Sequence, residues 1–393
     1  MENKLQKLHL RLCSCAVFRG VLQDPVFGFF ADYCKAENQA DKMKEYAAFT
    51  ARIYENGGNL TSFVQDLVFK DENTYIKDVA RCAATNTNVK NSAFRELDIF
   101  SDFGALTSAD FAQDMGVNAD EIPAFDSFNA DMGGAYLERL KNLSKFGYGI
   151  FSSYCMFRFS DAKQIEPIVS ADKTEFSQFI GYELEREKVV ANTRAFLEGR
   201  PAANTLLCGD AGTGKSSTVK AIANEFFAEG LRLIELRKDQ LRFLPLVMAK
   251  INGNPLKFII FIDDLSFNKN NDDFSMLKAA LEGSASATAD NAVIYATSNR
   301  RHIIKEFFAD REGDDVHIND TLQETLSLSD RFGLTVLFSR PNKALYLNIV
   351  NELAKRYGVE MSEKELELKA EEFALKKGSR SARGAQQFID SLR

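Results

Sequence analysis

The stretch TLLCGDAGTGKSSTVKAIA, residues 205–223, decides the fold of this chain. An apolar strand runs into a glycine-rich loop and then a helix, the context in which the pattern G-x-x-x-x-G-K-[ST] binds phosphate. Such glycines let backbone N–H groups converge on phosphate oxygens, and the helix N-terminus adds positive charge. The alternative is an ordinary glycine-rich turn. We predict a phosphate-binding loop made of Gly209, Asp210, Ala211, Gly212, Thr213, Gly214, Lys215, Ser216 and Ser217.

A second motif, FIIFIDD (258–264), supplies carboxylates at the end of an apolar strand. Ligands of open α/β sheets bind at the carboxyl ends of the strands. Lys215 is expected to reach the outer phosphates, and the Ser216 hydroxyl and Asp263 to hold Mg²⁺. Asp264 stands where a base or a water-positioning carboxylate is needed. A strand that merely enters a polar turn is the alternative, and the phosphate loop upstream makes it the weaker one.

Short apolar strands alternate with helices through this part of the chain. The predicted strands are 204–208, 232–236, 258–262, 292–297 and 334–338. Such alternation predicts an α/β fold with a doubly wound, parallel, five-stranded sheet. We therefore divide the chain into a helical N-terminal region of unknown role (1–163), an α/β core (164–340) and a helical C-terminal lid (341–393). Within the first region, residues 98–133 lack a clean period and predict a long connection.

Composition limits the function classes. The 393 residues carry 49 Lys and Arg against 56 Asp and Glu, a net charge of −7, so nucleic-acid binding is possible but unsupported by charge. The start of the chain lacks the features of a signal peptide, and no run is long enough for a membrane span. Six cysteines without CxxC pairs favour reduced thiols over a zinc site. We expect a cytoplasmic protein.

Long strings in the second half resemble the AAA+ P-loop ATPases, and most closely an uncharacterised bacterial AAA+ family known only as a domain of unknown function. The resemblance runs from about residue 165 to the C-terminus. The strings are GYELEREKVVANTRAFLEGRP (181–201), LLCGDAGTGKSSTVKA (206–221), FIDDLSF (261–267), LKAALEGS (277–284), VIYATSNRRH (293–302), DREGDDVH (310–317), LSLSDRFGLTVLFSRP (326–341) and GSRSARGAQQFID (378–390).

The resemblance implies ATP and Mg²⁺ as cofactors and roles for further residues. Asn299 is implied to sense the γ-phosphate, with a helix cap as the alternative. Arg331 is implied to be an arginine finger that acts on the ATP of a neighbouring subunit, so a homo-oligomer, ring or filament-like, is expected. A salt bridge between Arg331 and Asp330 is the rival interpretation, and Arg340 is a second candidate finger.

The same resemblance implies further nucleotide contacts. Arg383 matches the sensor 2 arginine of the lid, whereas Arg380 matches less well. The adenine contacts are implied to come from Ile180, Gly181 and Tyr182, although an apolar Ile-Gly-Tyr could equally be packing.

Two departures from the AAA+ pattern bear on function. Most AAA+ ATPases end the Walker B strand in Asp-Glu, and Asp264 is one methylene shorter, so hydrolysis is expected to be slow. The expected pore loop, 236–241, lacks the aromatic-apolar-Gly tripeptide of protein unfoldases. The acidic stretch 310–315 is interpreted as a solvated loop.

Three functions follow. The first is an oligomeric ATPase that remodels or loads an unknown macromolecular client, and the second is a nucleotide-gated switch with negligible turnover. The third, a nucleic-acid loader, depends on a basic cluster, which is more often a solvated helix face. That cluster consists of Arg232, Arg237, Lys238 and Arg242.

Overall fold

A computed structural model describes residues 3–265, 277, 281, 289–299 and 331–393. The chain divides into two compact units. One comprises residues 1–153 with 253–255, and the other comprises residues 154–252 with 256–393. None of the helices within the described ranges combines the length and the apolar character that a membrane crossing requires.

The first unit is helical, as the sequence predicts. Its α-helices, α1 to α9 in chain order, are Lys4–Cys13, Pro25–Lys35, Gln39–Glu55, Leu60–Lys70, Thr74–Ala80, Thr87–Gly104, Ser108–Met115, Met132–Lys141 and Leu143–Phe146. Most begin after an Asn, Asp or Thr whose side chain accepts a hydrogen bond from the first turn, as Asn59 does from the Ser62 amide. The predicted long connection at 98–133 is wrong, since α6 and α7 both enter it.

An aromatic core explains why the period of that stretch was hard to recognise. Large rings from several helices meet in one cluster, where aromatic pairs contribute beyond their buried area. The fully buried phenylalanines are Phe18, Phe30, Phe49, Phe100, Phe103 and Phe111. In α6 the buried residues Leu97, Phe100 and Phe103 follow helical spacing, with phenylalanine at positions where leucine is more usual.

A buried carboxylate ties the loop after α1 into this unit. Glu96, on α6, is 0% exposed. Its two oxygens accept hydrogen bonds of 2.8 to 3.1 Å from the backbone amides of Ala16, Val17 and Phe18. Because a buried charge is costly without such partners, the loop and the helix hold each other in place.

The second unit is built on a sheet that has seven strands among the described residues. They are Met156–Phe159 (β1), Ile165–Pro167 (β2), Thr205–Gly209 (β3), Leu231–Glu235 (β4), Lys257–Ile262 (β5), Ala292–Ser298 (β6) and Leu334–Phe338 (β7). Their order across the sheet is β2-β1-β4-β5-β6-β3-β7. In the part of the sheet that runs β1-β4-β5-β6-β3-β7, each strand is parallel to its neighbours. The edge strand β2 is antiparallel to β1.

The predicted fold class, an α/β core built on a doubly wound parallel sheet, is confirmed. All five predicted strands are present, and the two additional strands, β1 and β2, extend one edge of the sheet. These two strands have only four and three residues, too short for a periodic signal. Because β1 pairs with β4, the second unit begins at Tyr154, before the boundary at residue 164 that the sequence suggested.

Helices flank this sheet, and a group of them forms the lid. Among the described residues of the second unit, the α-helices, α10 to α15, are Glu183–Leu197, Lys215–Glu225, Leu244–Ile251, Lys343–Tyr357, Glu363–Lys376 and Ala382–Asp390. The last three, α13 to α15, share a hydrophobic cluster that includes the buried residues Tyr346, Ala370 and Phe388. The helical lid predicted for the C-terminal segment therefore has a core of its own.

Candidate functional site

The phosphate loop lies between β3 and α11, at the carboxyl edge of the sheet. Gly209 has φ +133°, and a Cβ there would lie 2.1 Å from the carbonyl oxygen of Phe338. Gly212 and Gly214 have φ values of +74° and +88°. Only glycine adopts these conformations without strain, and only glycine allows β7 to approach this closely. The glycines therefore set the shape of the loop, as the motif predicts.

Lys215 lies within the concave side of this loop. Its side chain is buried, with the residue only 4% exposed. The Nζ ammonium donates to the carbonyl oxygens of Gly209 at 3.2 Å and of Asp210 at 2.7 Å. Burial lowers the pKa of Lys215. A desolvated ammonium group in a loop of this shape has the chemistry needed to bind an anionic phosphate chain.

Three donors converge on one oxygen of Asp263. The Ser216 hydroxyl donates to Oδ1 at 2.6 Å, the Asp264 amide donates to it at 3.1 Å, and the Thr297 hydroxyl donates to it as well. The register explains the meeting, because Cys208 pairs with Ser298 and Ile262 pairs with Ala296 across parallel strands. Ser216 and Asp263 thus come together as predicted, and their hydroxyl and carboxylate oxygens are donors that suit Mg²⁺.

Thr297 is a site residue that sequence reasoning missed. Its hydroxyl donates to Asp263 and accepts a hydrogen bond of 3.0 Å from the backbone amide of Asp264. The residue is buried in β6. The available signal was a threonine near the end of a largely apolar strand, two residues before Asn299.

Asp264 and Asn299 are joined directly. The Nδ2 amide of Asn299 donates to Oδ1 of Asp264 at 2.8 Å. Asp264 also has a left-handed backbone conformation, with φ +52°. Among residues other than glycine, Asp and Asn tolerate this conformation best. The two side chains that the sequence singled out for the chemical step therefore contact each other.

The lid contacts the phosphate loop through the start of α15. The backbone amide of Arg383 donates to the carbonyl oxygen of Gly212 at 3.2 Å, and Arg383 lines the same cavity as the loop. Arg380, by contrast, forms a two-point contact with Glu371 at 2.9 and 2.6 Å. This placement favours Arg383 over Arg380 as the arginine that reaches the phosphates.

One cavity of about 500 Å³ brings most of the predicted residues together. The predicted residues that line it are Ile180, Tyr182, Ala211, Gly212, Thr213, Gly214, Lys215, Ser216, Ser217, Asp263, Asp264, Asn299 and Arg383. Gly181, Gly209 and Asp210 lie beside it and shape the backbone. A cavity of this volume is of the size that small-molecule ligands occupy.

Part of the cavity wall is apolar. Besides Ile180, this part is formed by Phe179 and by two residues of α13, Ile349 and Leu353, none of which the sequence suggested. They were missed because α13 is distant in sequence from the loop. Aromatic and aliphatic surfaces of this kind can accept a planar base.

Gly181 and Tyr182 contribute in a different way from Ile180. Gly181 has φ +77°, a conformation that favours glycine, and a Cβ there would lie 2.6 Å from Cδ1 of Leu345, on α13. The Tyr182 hydroxyl donates to the carbonyl oxygen of Ser339 at 2.7 Å. Both residues pack the segment before α10 against its neighbours, the alternative that the sequence left open.

The two candidate finger arginines differ in their surroundings. Arg340 is held within its own chain, because its amide donates to Asp210 at 2.9 Å and its guanidinium to the carbonyl oxygen of Gly378 at 3.1 Å. Arg331 is partly buried before β7 and is not among the described residues that line the cavity. Asp330 and the acidic stretch 310–315 lie outside the described residues.

The basic cluster of the nucleic-acid hypothesis is not one surface. Arg232 lies on β4, is 1% exposed, and packs its guanidinium 4.0 Å from the ring centre of Phe227. Arg237 is exposed but pairs with Asp161 and Asp239. The interpretation of this cluster as a solvated helix face is therefore wrong for Arg232.

Comparisons with known proteins cover the part of the chain that holds this cavity. The model of the family described as "Protein of unknown function (DUF815)" matches residues 152–393. No curated protein matches the sequence.

Two solved structures illustrate the structural similarity. The RuvB Holliday junction branch migration motor of Thermotoga maritima is 14% identical, with 56% of this chain and 72% of that chain covered and a TM-score of 0.33. The replication initiator DnaA, bound to AMPPCP and single-stranded DNA, is 17% identical, with 56% of this chain and 64% of that chain covered and a TM-score of 0.38.

Proposed function

We propose that this chain, which belongs to the family described as "Protein of unknown function (DUF815)", binds ATP and hydrolyses it with Mg²⁺ at subunit interfaces. One observation carries the proposal. A buried lysine in a glycine loop, a paired serine and aspartate, and a joined aspartate and asparagine all line one cavity. These are the groups that phosphoryl transfer requires for binding, charge neutralisation and water positioning.

Different residues around the phosphate loop have different roles in the proposed site. Lys215 and the loop amides bind the triphosphate, and the lid places Arg383 over the same loop. Ser216 and Asp263 would hold Mg²⁺, which when bound neutralises charge on the phosphate oxygens. The Ser216 hydroxyl and the Asp263 carboxylate are joined by a hydrogen bond, so both oxygens lie where one ion could contact them.

Asp264 and Asn299 perform the hydrolytic step. The Asp264 carboxylate accepts a hydrogen bond from the attacking water and orients it, and the Asn299 amide fixes that carboxylate from the other side. Because Asp264 is one methylene shorter than glutamate, we expect slow turnover.

Arg331 completes the site of a neighbouring subunit. A guanidinium opposite the transferring phosphoryl group speeds hydrolysis in related NTPases by several orders of magnitude. We propose a homo-oligomer that couples hydrolysis to the remodelling or loading of a macromolecular client. The helical N-terminal unit is available for client or partner contacts.

A second candidate function is a nucleotide-gated switch with negligible turnover. The Asn299–Asp264 hydrogen bond favours this function, since a carboxylate oxygen that accepts a hydrogen bond from Asn299 is less available to a water molecule. The two functions share ATP binding and differ in hydrolysis.

Mixing two inactive variants tests the oligomeric ATPase directly. Lys215→Ala removes the phosphate lysine, and Arg331→Ala removes the finger. In a mixed oligomer, an Arg331→Ala subunit can bind ATP and receive Arg331 from a Lys215→Ala neighbour. We expect each variant alone to be inactive, the mixture to recover part of the ATPase activity, and activity per subunit of the unmodified protein to rise with concentration.

The matched control is the double variant Lys215→Ala with Arg331→Ala, which cannot complement Arg331→Ala. If the unmodified protein binds ATP but hydrolyses none at any concentration, the switch replaces the ATPase. If the mixture recovers nothing while the unmodified protein is active, Arg331 does not act between subunits.

A further inference from the structure

Helix α13 presents one face to the cavity. Ile349 and Leu353 line the cavity from this helix. Arg356 follows at the spacing that places it on the same face. This face therefore begins apolar and ends in a guanidinium group.

The Arg356 guanidinium binds the backbone segment that leads into Phe179 and Ile180, two other residues that line the cavity. Nη1 donates to the carbonyl oxygen of Gln178 at 2.9 Å, and Nη2 donates to that of Ser177 at 3.0 Å. A planar fork that bonds two successive carbonyl groups fixes distance and orientation together. Arg356 thus ties the lid helix to the residues immediately before Phe179 and Ile180.

A second arginine supports the same segment from the core. The guanidinium of Arg186, on α10, lies 5.1 Å from the ring centre of Phe179. Arg186 is buried and contacts Glu183 at 3.5 Å. Phe179 is therefore oriented by the core, while the backbone just before it is held by the lid.

We propose that Arg356 is a positioning residue for the base of the bound nucleotide. By joining α13 to residues 177 and 178, it sets the width of the apolar slot that Phe179, Ile180, Ile349 and Leu353 line. A planar base stacks in such a slot. The inference rests on the proposed ATP site and adds a residue that acts only on the base.

Loss of Arg356 leaves the segment with fewer constraints, not detached. Gly181 still packs against Leu345, and Ile180 still packs against the lid cluster. The segment then has to be ordered when a nucleotide binds, and that ordering cost weakens binding. A ligand without a base does not use the slot and escapes the cost.

The test compares ATP with inorganic tripolyphosphate, each with Mg²⁺, by calorimetric titration of the full chain. Arg356→Ala is expected to weaken ATP binding about fivefold to tenfold, the loss of one charged hydrogen-bonded contact. Tripolyphosphate affinity is expected to stay unchanged. The matched control is Lys355→Ala, on the same helix, which removes an exposed cation whose partner is Glu352 at 2.8 Å and should alter neither affinity.

A second measurement needs no nucleotide. Amide hydrogen exchange of residues 176–182 is expected to be faster in Arg356→Ala than in Lys355→Ala, with exchange in α11 unchanged. This readout separates a loosened slot from global destabilisation, because the latter would speed exchange throughout the second unit.

The outcomes separate the two levels of the proposal. If ATP and tripolyphosphate weaken equally, or if neither weakens, Arg356 does not position the base. If the unmodified chain binds both ligands with the same affinity, there is no base slot, although the phosphate site stands. If it binds neither, the proposed function itself fails.

Discussion

The Asn299 amide donates a 2.8 Å hydrogen bond to the carboxylate of Asp264, a residue whose backbone is in the left-handed region. The two residues are far apart in sequence and end neighbouring parallel strands. Their contact means that a change at one alters the environment of the other. It also offers a direct way to separate the two candidate functions.

Asn299→Ala removes the donor from this pair. For an ATPase, we expect ATP affinity to be kept and turnover to fall by about 100-fold to 1000-fold, in the range that loss of one preorganised polar group costs. Steady-state hydrolysis and a binding titration on the same preparation check this. An increase in turnover would instead mean that Asn299 restrains Asp264, in favour of the switch.

Thr297→Val removes a hydroxyl and keeps the shape of the side chain. The change removes one of the three donors to Asp263 Oδ1 and leaves the Asp264 amide with Asp263 as its remaining acceptor. We expect a loss of about 0.5–1.5 kcal/mol in the free energy of unfolding, the net contribution of a hydrogen bond, and weaker Mg²⁺ dependence of ATP binding.

Thr297→Ser serves as the control for that change, because it retains the hydroxyl and should behave like the unmodified chain. Urea denaturation and magnesium titration of nucleotide binding provide the measurements. Equal stability of the Val and Ser variants would contradict the role assigned to the hydroxyl.

Gly209→Ala tests the close approach of β3 and β7. The added Cβ would lie 2.1 Å from the backbone oxygen of Phe338, and the alanine would have to adopt φ +133°. The contact is with a backbone atom, which cannot rotate away, and the backbone angle adds strain. We therefore expect a loss of at least about 3 kcal/mol in the free energy of unfolding, more than backbone strain alone costs. The melting temperature should fall accordingly.

Gly358→Ala is matched to that variant. Gly358 follows α13 with φ +66°, and a Cβ there would meet no heavy atom within 4 Å. Only the conformational cost of about 1 kcal/mol applies. If the two variants melt at the same temperature, contact with the Phe338 backbone is not what excludes a side chain at position 209.

Glu96→Ala tests the buried carboxylate of the N-terminal unit. The change leaves the amides of Ala16, Val17 and Phe18 without their acceptor. We expect the unit to lose about 3–5 kcal/mol of stability, as when one partner of a buried charged contact is removed. Denaturation followed by hydrogen exchange in α6 measures it.

Glu55→Ala is the exposed counterpart, since Glu55 pairs with Arg52 at the surface. Surface ion pairs contribute roughly 0–1 kcal/mol, so little change is expected. A similar small loss in both variants would show that the Glu96 contacts do not stabilise the loop after α1.

Much of the site could be predicted because its chemistry is local. The loop 209–216 and the carboxylates 263 and 264 each occupy a continuous stretch that follows an apolar strand. Parallel strands bring their carboxyl ends to one edge, so the meeting of Ser216 with Asp263 was predictable from order alone. Thr297, Phe179 and Ile349 were not, because an ordinary threonine, phenylalanine or isoleucine carries no signal of its surroundings.

The sequence by itself determined the phosphate loop, the parallel core and the helical character of both ends, because these depend on short-range periodicity and on glycines at fixed spacing. Only the tertiary structure decided which side chains share the cavity. In the folded chain, Arg232 is buried against the ring of Phe227, and Arg340 donates a hydrogen bond to Gly378. Arg356 donates hydrogen bonds to residues 177 and 178. Those outcomes depend on packing between elements that are distant in the chain, and no local pattern encodes such contacts.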